Sequence, residues 1–116
     1  MPFGHRHERL ADQIRIEVAE MIEGELRDPR IGFATVTRVE LSPDLRYGRV
    51  LISVLGDEES RAETLQGLSS ATGYVRREIT RRLALRRAPE IVFILDRGEE
   101  EFEKVQKLLN EIKREE

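Results

Sequence analysis

Not one cysteine occurs in the 116 residues, which excludes disulfides, thiolate metal sites and cysteine nucleophiles and suits a reducing compartment. Tryptophan is also absent, and aromatic residues make up only 5% of the chain. No apolar run approaches the roughly 18 to 20 residues that a membrane helix needs, and Met1 to Arg9 lacks the apolar core of a signal peptide. The expected setting is cytoplasmic, without membrane contact. Neither a phosphate-cradling glycine loop nor a dinucleotide fingerprint is present. Both histidines, His5 and His7, lie near the N-terminus with no third ligand placed nearby, so no metal site is expected. Catalysis needs a positioned acid, base, nucleophile, metal or cofactor. Asp44 reads as a turn residue and Asp96 as a helix cap rather than as a catalytic pair. The absences point to a protein that is not an enzyme and needs no cofactor.

What the chain does have is charge: 37% of residues are charged and 39% hydrophobic, the balance of one strongly solvated globular domain. A chain of this length can bury roughly two thirds of its unfolded surface. The net charge of -3 weighs against nucleic acid, but the charge is uneven and a local field can override a total. Six arginines fall between Arg76 and Arg87, whereas residues 96–116 carry eight acids against five bases.

Taken in order, Met1 to His7 reads as a tail. From His7 to Leu26 the apolar residues Leu10, Ile14, Val18, Met21 and Ile22 recur at helical spacing, until Asp28-Pro29 stops the helix. Phe33 to Leu41 and Tyr47 to Leu55 alternate as strands do, and the Ser42-Pro43-Asp44 turn between them predicts an antiparallel hairpin. Ser60-Arg61-Ala62-Glu63 has the spacing of a capping box, opening a helix to about Leu68. Gly67, Ser69, Ser70 and Gly73 then cluster where an unbroken helix would carry better helix formers, so a kink is expected near Ala71. Beyond it Ala71, Val75, Ile79 and Leu83 form a buried stripe, with Tyr74, Arg77 and Arg81 on the opposite face and Arg76 and Arg82 flanking the stripe. Pro89 ends this helix. Ile91 to Leu95 is a short apolar run, read as a strand buried on both faces. A last helix follows Asp96, with Phe102, Val105, Leu109 and Ile112 along one side and Lys113 and Arg114 in its final turn. The order α-β-β-α-α-β-α predicts an α+β layer, a three-stranded sheet covered by helices. Residues 1–8 are assigned as tail, 9–96 as the domain, and 97–116 as a C-terminal helix that packs on the domain or extends it.

Two readings of the arginine cluster compete. In one, the arginines solvate a helix face and pair with Glu78, Glu90 or the acidic C-terminal helix. In the other they hold phosphate, since one acid within the cluster cannot neutralise six cations and guanidinium forks match phosphate oxygens. Tyr74 likewise either stacks on a splayed base or serves the protein itself, stacking on Arg77 or partly buried at the kink.

Up to the third strand, the element order resembles a type II KH domain, a module for single-stranded nucleic acid. More specifically, Val36-Thr37-Arg38-Val39, Leu41-Ser42-Pro43-Asp44-Leu45, Ala71-Thr72-Gly73 with Val75-Arg76, and Leu85-Arg86, Pro89, Ile91, Phe93 and Asp96 resemble the bacterial ribosome-binding factor A family. The resemblance runs from about Arg9 to Asp96. It implies a non-catalytic factor that binds the free or immature small (30S) ribosomal subunit through 16S rRNA, assists rRNA processing and subunit maturation, and favours the free subunit over the assembled ribosome. Ribosomal proteins enter as further partners, and the chain is expected to act as a monomer. An ordinary KH domain clamps about four nucleotides with a Gly-x-x-Gly loop. Here no two of the eight glycines are three residues apart, and Ala71-Thr72-Gly73 takes the loop's place. The resemblance thus implies a surface that holds RNA through its backbone and shape. Its expected members are Arg76, Arg77, Arg81, Arg82 and Arg86 with Thr72 and Tyr74, while Ala71 and Gly73 serve the geometry of the kink by letting helices meet closely. Gly48 departs from the family, which usually has alanine there. A generic RNA-binding KH-like protein, or an adaptor that docks a partner on its C-terminal helix, is the alternative.

Overall fold

A computed structural model describes the backbone of residues 2–115 and the side chains of residues 7–98 and 106–113. The side chains of His5, Phe102, Val105 and Arg114 lie outside those described. Four helices and three strands follow one another as α1 (Pro2–Gly24), β1 (Ala34–Leu41), β2 (Tyr47–Val54), α2 (Glu58–Ser70), α3 (Thr72–Arg82), β3 (Glu90–Leu95) and α4 (Gly98–Glu115). The α-β-β-α-α-β-α order is the expected one. α1 starts at Pro2 rather than near His7, as proline's fixed φ is tolerated in a first helical turn.

The sheet has the order β1-β2-β3, with β1 and β2 antiparallel and β2 and β3 parallel. A bulge between Val36 and Arg38 shifts the register of β1. The β1–β2 turn is held by its own polar groups: Ser42 Oγ lies 2.7 Å from Asp44 and accepts from the Tyr47 amide at 3.0 Å, while Asp44 accepts from the Arg46 amide at 3.1 Å. These bonds hold Leu45 in the left-handed region at φ 61°.

All three strands bury one face under helices. Ile14, Val18 and Met21 of α1, Leu68 of α2, and Val75 and Ile79 of α3 are fully buried against Val50 and Ile52 of β2 and the nearly buried Ile91 and Phe93 of β3. β3 therefore alternates, and the expectation of a strand buried on both faces is corrected: Val92 is 54% exposed because, among the described residues, helices pack on only one side of the sheet. At Gly48 an added Cβ would lie 3.1 Å from a Leu41 methyl and 3.4 Å from one of Ile91, so this strand is packed around the missing side chain.

Two local expectations also shift. The cap of α2 is Asp57, which accepts from the Ser60 amide at 2.8 Å, not the Ser60–Glu63 box. Gly56 at φ +133° turns the chain one step earlier and leaves Ser60 inside the first turn. The kink falls at Ala71, between α2 and α3, with φ -91° and ψ 0°. The close approach expected of Gly73 occurs instead at Gly67, where an added Cβ would meet Ile31 at 2.7 Å. At Gly73 the nearest atom, on Arg77, is 4.0 Å away. In α4 every described side chain from residue 106 to 113 is exposed, including Leu108, Leu109 and Ile112. Over residues 106–113, then, α4 buries none of its described side chains.

Candidate nucleic-acid interface

The rotation of α3 is set by Val75 and Ile79, both without exposed surface, which turns Arg77 and Arg81 to solvent. At its end Ala84 takes a left-handed conformation, φ 51°, and the Leu85 amide donates back to Thr80 O at 3.0 Å. This is the bonding of a glycine-type helix stop made without glycine. Arg76 then ties the following loop to the helix, its Nε donating to Pro89 O at 3.1 Å and its Nη2 to Ala88 O at 3.4 Å.

The result is one open depression of about 570 Å³ lined by Gly73, Arg76, Arg77, Thr80, Arg81, Arg86, Arg87 and Ala88. Four of the five arginines expected at the interface stand here, joined by Arg87. Arg81 is paired with Glu78 at 2.7 Å yet remains largely exposed. Among the described residues, no hydrogen bond or ion pair holds Arg77, Arg86 or Arg87. With one neighbouring acid already engaged, the depression is a concentrated positive field on a chain of net charge -3.

The other expected members stand elsewhere. Arg82, with only 19% of its side chain exposed, turns toward α1 and reaches Glu17 at 3.2 Å, Glu78 at 3.1 Å and Glu25. Its guanidinium, first, and the Tyr74 hydroxyl, second, hold the Glu25 carboxyl below the ordinary glutamate range. Tyr74 is half-buried against the core and donates its hydroxyl to Glu25, and that hydrogen bond, followed by burial, raises the phenol's pKa. The ring is thus partly buried beside the kink, with its hydroxyl engaged by Glu25. Thr72 donates to Ser69 O at 2.8 Å across the kink and does not line the depression.

A second, smaller depression shares Arg76, Arg87 and Ala88 with the first and adds Arg46, Tyr47 and Glu90. Sequence reasoning missed Arg46 and Tyr47. They lie more than 25 positions before the arginine helix, and only the parallel pairing Tyr47↔Glu90, with the Glu90 amide bonded to Arg46 O at 2.8 Å, brings them to its edge.

Three comparisons bear on these features. Residues 6–109 match the model of a family described as ribosome-binding factor A. Ribosome-binding factor A of Thermomicrobium roseum is 47% identical over 96% of this chain and 86% of its own length. The crystal structure of ribosome-binding factor A from Thermus thermophilus superposes with a TM-score of 0.70, at 32% identity, over 79% of this chain and 97% of that one. A homology model of Thermus thermophilus ribosome binding factor A, as fitted into an electron cryo-microscopy map of its 30S complex, gives a TM-score of 0.65 at 32% identity over 78% of this chain and 96% of that one.

Proposed function

The chain belongs to the ribosome-binding factor A family, and from that premise we propose how its surface serves the small ribosomal subunit. It is a non-catalytic ribosome maturation factor that binds the 30S subunit. The finer reading is that it docks on 16S rRNA through the depression beside α3, with Arg77, Arg86 and Arg87 as principal phosphate contacts and Arg76 and Arg81 at its margins. The observation that carries this is the trio of guanidinium groups left without a partner among the described residues while Arg82, on the other flank, is fully engaged.

Arginine without an internal acid is pre-set for the paired oxygens of a phosphate, and such contacts position a protein on RNA without reading bases. No Gly-x-x-Gly clamp adds sequence reading at the kink. No helix among the described residues is long and apolar enough to cross a membrane. The proposed place of action is the cytoplasm, on the free or immature subunit.

Binding to separated small subunits, titrated against salt, tests the reading. With three to five phosphates neutralised, log K falls against log salt with a slope of about -2 to -4.5. Co-sedimentation completes the test: the protein pellets with free small subunits and is left behind by assembled ribosomes. A flat salt response with folded protein, or equal pelleting with both, overturns it.

A further inference from the structure

Tyr74 is partly buried with its hydroxyl engaged by Glu25, whereas Tyr47 stands exposed at the rim of the arginine depression. We propose that Tyr47 is a stacking platform for one unpaired nucleobase at the edge of the arginine depression. The proposal rests on the rRNA-docking reading and adds to it a site that engages a base rather than a phosphate.

Tyr47 opens β2 with 56% of its surface exposed. Strand alternation sends Gly48, Val50 and Ile52 under the helices and leaves Tyr47 on the open face beside Glu90. Two depressions of about 260 Å³ each meet at this residue. One is lined with Arg46, Arg76 and Arg87 and runs into the main depression; the other contains Glu40 and Arg49. The backbone beneath the ring is held on both sides: the Tyr47 amide donates to Ser42 Oγ at 3.0 Å, and Ser42 donates from its own amide to Tyr47 O at 2.9 Å.

A platform on a rigid strand end loses little freedom when a base arrives, and every base has a π face to offer it. Arg46, loosely paired with Asp44 at 3.9 Å, and Arg87 supply positive charge beside the ring for the phosphates that flank the base. The competing use of the ring is internal, as a surface on which Arg46 or Arg87 stacks within the protein. That use would be felt in folding and not in binding.

Affinity for separated small subunits decides between them. Tyr47→Leu lowers it about 5- to 100-fold, and Tyr47→Phe, which keeps the ring, holds it within about twofold. The salt slope stays that of the parent protein, because no phosphate contact is lost. Tyr47→Thr, a second ringless change suited to a strand, repeats the loss should leucine disturb folding, which circular dichroism monitors. Native-like binding by folded Tyr47→Leu or Tyr47→Thr overturns the platform, as does a Tyr47→Phe loss equal to that of leucine. The Arg77→Gln/Arg86→Gln variant separates the two claims. If it alone binds weakly, with a flatter salt slope, the phosphate surface stands and the platform falls; if it too binds normally, both fall.

Discussion

Arg82 and Arg77 sit on opposite flanks of α3, and their surroundings differ far more than their chemistry. On one flank α1 supplies Glu17 and the residue just beyond its end, Glu25, and with Glu78 they surround Arg82 so that its charge joins two helices. On the other flank no carboxylate among the described residues forms an ion pair with Arg77, Arg86 or Arg87, and these groups face solvent around a common depression. An arginine is structural or available according to which helix packs beside it. Local charge density does not distinguish the two, because Arg81 and Arg82 are adjacent in sequence and have opposite exposure.

The largest expected effect removes the frame that separates the flanks. Ile79 is fully buried and fixes the rotation of α3. Ile79→Ala costs about 2 to 5 kcal/mol, measured by urea unfolding, and weakens subunit binding together with the fold.

A smaller and more selective change is Arg82→Gln. It leaves three carboxylates around the site of one lost cation, so the melting temperature drops while the affinity of the folded protein for small subunits stays near the parent's. The pH dependence sharpens this. The carboxyls of Glu25 and Glu78 are held below the ordinary range, Glu25 chiefly by Arg82 and Glu78 chiefly by Arg81 with Arg82 adding to it. A lowered folded pKa contributes stability above the unfolded value, about 4.3, and that stability fades as the pH falls through the folded value. The parent's advantage over Arg82→Gln therefore shrinks in acid. Asp28 and Glu58, both held at about 2 by arginines elsewhere, fade alike in the two proteins and cancel in the difference. An advantage that stays constant to low pH would remove the clasp as its source.

The smallest effect is at the helix entry. Gly73 has open space where a Cβ would go, so Gly73→Ala stabilises α3 by up to about 1 kcal/mol in chemical denaturation. Gly73 lines the depression, so the added methyl lowers subunit affinity only where RNA is seated against the kink. A loss of affinity there would mean that RNA passes against the bare backbone of the kink.

Much of this was legible in the chain. The element order, the hairpin at Ser42-Pro43-Asp44, the break at Ala71 and the Val75–Ile79 stripe all depend on residues within a few positions of one another, where periodicity and turn chemistry act directly. The family motifs lay in the same local stretches. Misreadings arose where a distant segment intervened or the chain turned early. Asp57 displaced the Ser60 box because Gly56 turned the chain before it; Val92 was exposed because no helix packs on that face among the described residues; Gly67 was required by Ile31, far back in sequence.

By itself, then, the sequence determined that a basic amphipathic helix with a kinked entry and no nucleotide clamp would lie on a small α+β domain. Only the tertiary structure decided which arginines are available, since that turns on the carboxylates α1 and its C-terminal end bring to Arg82 and withhold from Arg77. It also placed the two tyrosines. The hydroxyl of Tyr74 meets Glu25 just beyond the end of α1, and parallel pairing carried Tyr47 to the rim of the depression, because strand register is a contact between segments that no local pattern encodes.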